Sequence, residues 1–215
     1  MRTIAFVTQK GGSGKSTIAS SLAITAAEAG ERVFIIDMDP QASLVKWAKV
    51  RGDQDVGVEF IEAGKLKAAL TQLEKGGMTL VVIDTPAGQS AASEAAMKNC
   101  DLVVIPSRPN AFDLWSSELT RKSARDMKRD FVFLLNQCPP AQQSARVEEG
   151  VAALEALGGL LNPPLSARVD YQEAARNGLG ATEYAPGGPA AVEIRKLWAS
   201  LKRRLAKAGA ARRAA

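Results

Sequence analysis

The chain has 215 residues, 46% of them hydrophobic and 24% charged, enough apolar material to bury one core without demanding a second domain. It has no histidine, and its two cysteines, Cys100 and Cys138, are far apart without CxxC spacing; this excludes His-based catalysis and argues against a zinc site or an iron–sulfur cluster. The net charge of +5 is local, because eight basic residues face one acid, Glu193, between Val192 and Ala215 while the remainder is slightly acidic, a distribution that suits a polyanionic partner.

The apolar start, Met1–Val7, is too short for a signal sequence, and no segment approaches the ~20 apolar residues of a membrane span, so a soluble, cytoplasmic protein is expected. Ile4–Val7 predicts a short strand, followed by KGGSGKST (Lys10–Thr17) and by a helix over Ser16–Ala29 with Ile18, Leu22 and Ala26 on one face. Strand, glycine loop and helix in that order make a phosphate-binding P-loop. Gly11, Gly12 and Gly14 let the N–H groups around Ser13 turn inward onto an anion, and the helix N-terminus adds partial positive charge. Lys15 suits the β and γ phosphates of a nucleotide, and the Ser16 hydroxyl, followed by Thr17, suits Mg²⁺.

Arg32–Ile36 reads as a buried parallel strand ending in DMDPQ (Asp37–Gln41). Carboxylates at a strand's C-terminal end lie where open α/β sheets bind ligands. Asp39 is expected to be catalytic, on the strength of its pairing with the glycine loop, with capping of the next helix as its alternative. Gln41–Val50 predicts a helix, Arg51–Gly57 a loop, Val58–Ile61 a minor strand and Lys65–Lys75 a helix. Thr79–Ile83 is the next strand, and Asp84 after it fits a Walker B carboxylate for Mg²⁺. Gly88 closes the DTPAG string and could let a backbone N–H swing toward a γ-phosphate.

A helix over Ser90–Asn99 and a strand over Leu102–Ile105 precede IPSRPNAFDLWSSELT, where a Pro-restricted loop leads to a helix from Ala111 with Leu114, Trp115 and Leu119 on one face. The basic cluster Arg121–Arg129 reads as a solvated face, with DNA contact as its alternative. The strand Phe131–Leu135 exits into Asn136, Gln137, Cys138 and Pro139, which lack the Asp that would read a guanine amino group, so adenine is expected. A helix over Gln143–Leu157 and a short last strand over Leu165–Val169 follow. The final helix, Ala190–Ala208, should dock through Ile194, Leu197, Trp198, Leu201 and Leu205, leaving Arg195, Lys196, Lys202, Arg203, Arg204 and Lys207 as a sequence-independent footprint for DNA phosphates. Residues 206–215 are expected to form a basic, mobile tail.

KGGSGKS, with Lys10 directly before the glycines, resembles the deviant Walker A motif of the ParA/MinD family of ATPases, and DMDPQ and DTPAG resemble its switch I and switch II in family order. The resemblance covers nearly the whole chain. It implies a single-domain α/β fold of P-loop NTPase type: a doubly wound, mostly parallel sheet flanked by helices on both faces. It also implies a homodimer that sandwiches two ATP molecules with Mg²⁺, Lys10 reaching the other subunit's phosphates and Lys15 its own. Asp39 would help orient the attacking water and belong to the metal shell, and Asn136 would contact the base; Arg168, in RVDYQEAARNGLGATEYAP, reads equally as a base contact or as a structural residue. Trp115 stays open between core and dimer interface.

The function so implied is an ATP-dependent switch that binds double-stranded DNA non-specifically on the nucleoid and partitions plasmid or chromosomal DNA when a ParB-like or cargo adaptor stimulates hydrolysis. The alternative is a positioning factor for a protein assembly, such as a chemoreceptor cluster or a microcompartment. A MinD-like membrane regulator is disfavoured, since beyond Leu205 the tail is only Ala, Gly, Lys and Arg.

Overall fold

In a computed structural model the strands are β1 (Arg2–Phe6), β2 (Val33–Asp37), β3 (Gly57–Phe60), β4 (Leu80–Asp84), β5 (Leu102–Ser107) and β6 (Phe131–Leu135). They form one sheet in the order β3-β2-β4-β1-β5-β6, every neighbouring pair parallel. The structure describes residues 1–52, 55–140 and 145–214, the stretch 207–214 as backbone alone. Asp53 and Gln54 of the expected Arg51–Gly57 loop, and Gln143 and Ser144 of the expected helix start, lie outside the described residues.

The sheet is covered on both faces, and the period-2 alternation of its strands sorts the core accordingly. Ile4, Phe6, Val82 and Val104 face α1 (Lys15–Glu28), α2 (Ser43–Arg51), α7 (Val169–Arg176), α8 (Ala181–Tyr184) and α9 (Pro189–Ala214). Ala5, Val7, Val81, Ile83 and Ile105 face α3 (Leu66–Lys75), α4 (Ala91–Asn99), α5 (Ala111–Asp126) and α6 (Ala145–Leu157). This is the doubly wound α/β architecture expected.

Two elements depart from the expectation in instructive ways. Helix α1 is buried continuously from Ile18 to Ala26 and not along one stripe, because its small residues let α7, α8 and α9 pack on the side away from the sheet. The last strand expected over Leu165–Val169 does not form. Leu161 and Leu165 donate to the carbonyls of Phe133 and Leu135, and Cys138 pairs with Ser166 in a single bridge. Pro163 and Pro164 have no N–H to continue a ladder, so the segment lies along the edge of β6 without becoming a strand, and Val169 already opens α7.

Helix α9 docks through the stripe expected of it: Ile194, Leu197, Trp198, Leu201 and Leu205 are all buried. Each such side chain contributes roughly 1.5–3 kcal/mol relative to exposure, enough to fix the helix against α1 and α8. Its backbone continues helical through the stretch expected as a tail, to Ala214, whereas the side chains of Lys207, Arg212 and Arg213 lie outside the described residues.

Candidate nucleotide-binding site

The C-terminal ends of β1, β2 and β4 bring the glycine loop and three carboxylates together. Gly14 takes a left-handed conformation, φ 87° and ψ 20°, as the N-cap of α1. A Cβ there would stand 2.5 Å from the Asn136 amide nitrogen, so both the backbone angle and the space require glycine. The β6 exit holds the loop from outside: Asn136 Nδ2 donates to the Ser13 carbonyl at 2.7 Å and Gln137 Nε2 to the Gly12 carbonyl at 2.9 Å. With these carbonyls engaged outward, the loop's N–H groups are left for an anion.

The acids divide by role. Asp37 is fully buried and accepts from the N–H groups of Asp39, Leu44 and Val45, anchoring the start of α2. Burial pushes its carboxyl up, and these amide bonds oppose that shift. The helix-capping role open to Asp39 therefore belongs to Asp37; Asp39 is partly exposed and accepts from the Gln41 N–H at 2.9 Å. Asp84 is fully buried, and its Oδ2 accepts from the Ser16 hydroxyl at 2.5 Å. Its carboxyl is pushed up to about 7, first by burial, with the charges of Asp37 and Asp39 adding and the Ser16 hydroxyl and Lys15 opposing. Burial lowers the Lys15 ammonium for the same reason, against the pull of Asp84 and Asp39.

Two buried polar atoms here have no hydrogen-bond partner among the described residues, Ser13 Oγ and Asp84 Oδ1. Buried polar atoms are rarely left so without a ligand to meet them. No group of three or more His, Cys, Asp or Glu side chains among the described residues could hold a metal by itself. One hydroxyl and one carboxylate instead fit Mg²⁺, which keeps waters and takes phosphate oxygens to complete its shell.

Beside Gly14 and Thr17 opens a cavity of about 180 Å³, walled by Ile18, Asn136, Leu165, Arg168 and Tyr171 among others. A slot next to a phosphate loop that mixes apolar walls, Ile18 and Leu165, with polar groups, Thr17, Asn136, Gln137, Ser166 and Arg168, suits a base and sugar. Arg168 pairs with Glu193 at 2.7 Å, and Glu193 also accepts from the Ser166 N–H and hydroxyl. Tyr171 donates its hydroxyl to the Ala190 carbonyl. Sequence reasoning placed Asn136 here and left Arg168 open; it missed Leu165 and Tyr171, whose signal was only an apolar residue after two prolines and an aromatic one turn into α7.

The model of the CobQ/CobB/MinD/ParA nucleotide binding domain matches residues 4–181. The chain belongs to that family. Its members are P-loop ATPases, and the ParA-like partition and positioning proteins are among the chain's relatives. It is 31% identical to maintenance of carboxysome distribution protein A of Halothiobacillus neapolitanus, over 91% of this chain and 94% of that protein. It is 40% identical to the protein of that name from Gloeobacter kilaueensis, but only over 53% of this chain and 52% of the relative's length. Protein ParA of Rhizobium radiobacter is 28% identical over 80% of this chain and 81% of its own. Among solved structures, apo McdA of Cyanothece superposes with a TM-score of 0.79 at 17% identity, covering 95% of this chain and 99% of that one. The cell division ATPase MinD of Pyrococcus furiosus gives 0.75 at 20% identity, covering 94% and 98%. At such identities these two establish the fold alone.

The two lysines of the KGGSGKS string are placed differently. Lys15 is buried, whereas Lys10 is exposed at the loop's outer rim with its Nζ 5.8 Å from the centre of the Phe112 ring. Phe112 is 67% exposed and Trp115 65%, the two rings meeting edge to face at 5.5 Å; Leu119 is 54% exposed on the same side of α5. Trp115 is thus not core. The DTPAG loop reaches the end of β1: the Gly88 N–H donates to the Thr8 carbonyl at 3.3 Å.

The basic residues of α9 are not equivalent. Lys202 approaches Glu31 at 3.7 Å, Arg204 donates to the Phe131 carbonyl, and Arg195 donates to the Pro186 carbonyl. Lys196 and Arg203 are exposed. Among the described residues no helix is long and apolar enough to cross a membrane.

Proposed function

We propose that the chain is an ATP-dependent switch that closes into a homodimer around two nucleotides and, as a dimer, holds non-specific DNA while it distributes a cargo. The position of Lys10 supports the reading: it is an exposed cation on the rim of a phosphate loop, set against exposed Phe112, where a second copy could meet it. A second copy meeting that rim would cover the apolar stripe and receive Lys10 on its phosphates.

In this reading Ser16 and Asp84 hold Mg²⁺, Lys15 neutralises the β and γ phosphates from within, and Asp39 orients the attacking water. The metal, when bound, would neutralise phosphate charge. Asn136 and the Arg168–Tyr171 wall receive adenine and sugar. Lys196 and Arg203, with Arg195, Lys202, Arg204 and Lys207, supply the phosphate contacts to DNA, and pairing two such surfaces raises avidity without new contacts. An adaptor on the cargo stimulates hydrolysis, and the protein works on the nucleoid of the cytoplasm.

Cargo is where two readings compete. Partition of plasmid or chromosomal DNA, first on sequence grounds, is supported by the ParA relative. Positioning of a protein assembly is supported by the carboxysome distribution protein that aligns across 94% of its length, and that reading is preferred. Gel shifts with random-sequence duplex DNA test the shared part: retardation in MgATP and none in MgADP is expected, and equal behaviour in both would refute the switch.

A further inference from the structure

Arg108 lies on the tight turn between β5 and α5, and nothing in the sequence pattern gives it a role. The turn is rigid. Pro106 and Pro109 restrict its backbone, the Arg108 carbonyl accepts from the Asn110 N–H at 2.8 Å, and Asn110 Oδ1 caps α5 by accepting from the Asp113 N–H at 3.0 Å. Asp113 sits in the first turn of α5, where the helix dipole favours its charge, and is 3% exposed. It grips the guanidinium on one edge, accepting from Nε at 2.9 Å and from Nη2 at 3.2 Å. That fork leaves Nη1 aimed elsewhere. Nη1 lies 3.7 Å from where a Cβ on Gly12 would stand, beside the phosphate loop.

We propose that Arg108 is a further phosphate-contacting residue, a cation held by Asp113 that meets the terminal phosphate of a bound nucleoside triphosphate from the Gly12 side of the loop while Lys15 holds it from the start of α1. The inference rests on reading this site as a triphosphate switch. Its physical basis is orientation. An arginine fixed on one edge by a buried carboxylate loses little freedom when its other edge meets an anion, and planar N–H donors match phosphate oxygens better than an ammonium does. A structural ion pair alone would need the Nε edge only. Gly12, with φ 73°, also keeps the space between Nη1 and the loop clear of any side chain. Because the contact is to the outermost phosphate, Arg108 discriminates ATP from ADP.

The test uses the full chain with a fluorescent non-hydrolysable ATP analogue and the matching ADP analogue, both with Mg²⁺. Arg108→Gln should weaken the ATP analogue roughly tenfold to a hundredfold while ADP affinity changes by less than about twofold. Since Arg108→Gln strands a buried carboxylate, the double variant Arg108→Gln/Asp113→Asn is measured beside it, and it should show the same loss of discrimination with the native melting temperature restored. Equal weakening of both nucleotides in the double variant, or no change in either, would overturn the proposal and leave a turn-stabilising ion pair. If the unaltered protein binds the ATP analogue no better than buffer, the switch reading fails first and this inference with it, a result distinct from the other two.

Discussion

Asp37 and Asp84 end neighbouring parallel strands in direct register, yet one carboxylate is consumed by the fold and the other keeps an oxygen without a partner among the described residues. Asp37 accepts three backbone N–H groups from the turn into α2, whereas Asp84 takes one hydroxyl from Ser16 and leaves Oδ1 without a partner among the described residues. The pair should respond oppositely to mutation. Asp37→Ala strands the amides at the start of α2 and should destabilise the protein by about 1–3 kcal/mol with or without nucleotide. Asp84→Asn removes a buried charge, so it should leave the ligand-free protein as stable or more so at pH 8 while abolishing the stabilisation given by MgATP. Thermal melts of both variants, with and without MgATP, check this.

The pH dependence follows from the same carboxyl. Asp84 titrates near 7 in the fold, far above the ordinary 3.8, so between these values the native state keeps a proton that the unfolded chain has released. Stability from this group is therefore full below about pH 4 and falls as pH rises toward 7, by a few kcal/mol in all. Denaturation of the nucleotide-free protein between pH 4 and 8 should show this decline, and Asp84→Asn should remove its part of it. A metal needs the deprotonated carboxylate, so the extra stability conferred by MgATP should be larger at pH 8 than at pH 6.

Asp39 makes few structural contacts, its side chain accepting from Gln41 and its carbonyl from Ala42. Asp39→Ala should accordingly change stability by less than about 1 kcal/mol. Turnover of ATP should fall by roughly a hundredfold or more, and ATP-bound dimers should accumulate. Single-turnover hydrolysis measured beside size-exclusion chromatography separates the two effects; normal turnover would move the catalytic role to another carboxylate.

Much of this was legible in the sequence, and the gaps have physical causes. The glycine loop, the strand-terminal acids and the α9 stripe declare themselves because their periods and spacings are local. What Asp37 does was hidden, since DMDPQ offers two carboxylates and only the backbone path shows which one meets the N–H groups of Leu44 and Val45. The α5 stripe looks the same in sequence whether core or interface, because periodicity reports an apolar face and not what covers it; the exposure of Trp115 removes it from the core. Arg108 was invisible because its partner to the loop is a glycine 96 positions earlier, a proximity that no pattern in sequence encodes.

Binding to DNA should depend unequally on α9. Lys196→Glu and Arg203→Glu should weaken binding uniformly across sequences without lowering the melting temperature, the salt slope falling by about one for each phosphate no longer neutralised. Arg204→Ala should instead lose about 1 kcal/mol of stability, because its guanidinium bonds the Phe131 carbonyl. Fluorescence anisotropy over a salt series distinguishes them, and an unchanged slope in the Lys196 and Arg203 variants would move the footprint to Arg121–Arg129.

Whether nucleotide joins two copies is decided most directly by sedimentation velocity with a non-hydrolysable ATP analogue and Mg²⁺, compared with ADP. A dimer boundary with the analogue, a monomer with ADP, and a monomer in both for Lys10→Ala that still binds nucleotide are expected. A monomer throughout, or a dimer that Lys10→Ala leaves intact, would contradict the account.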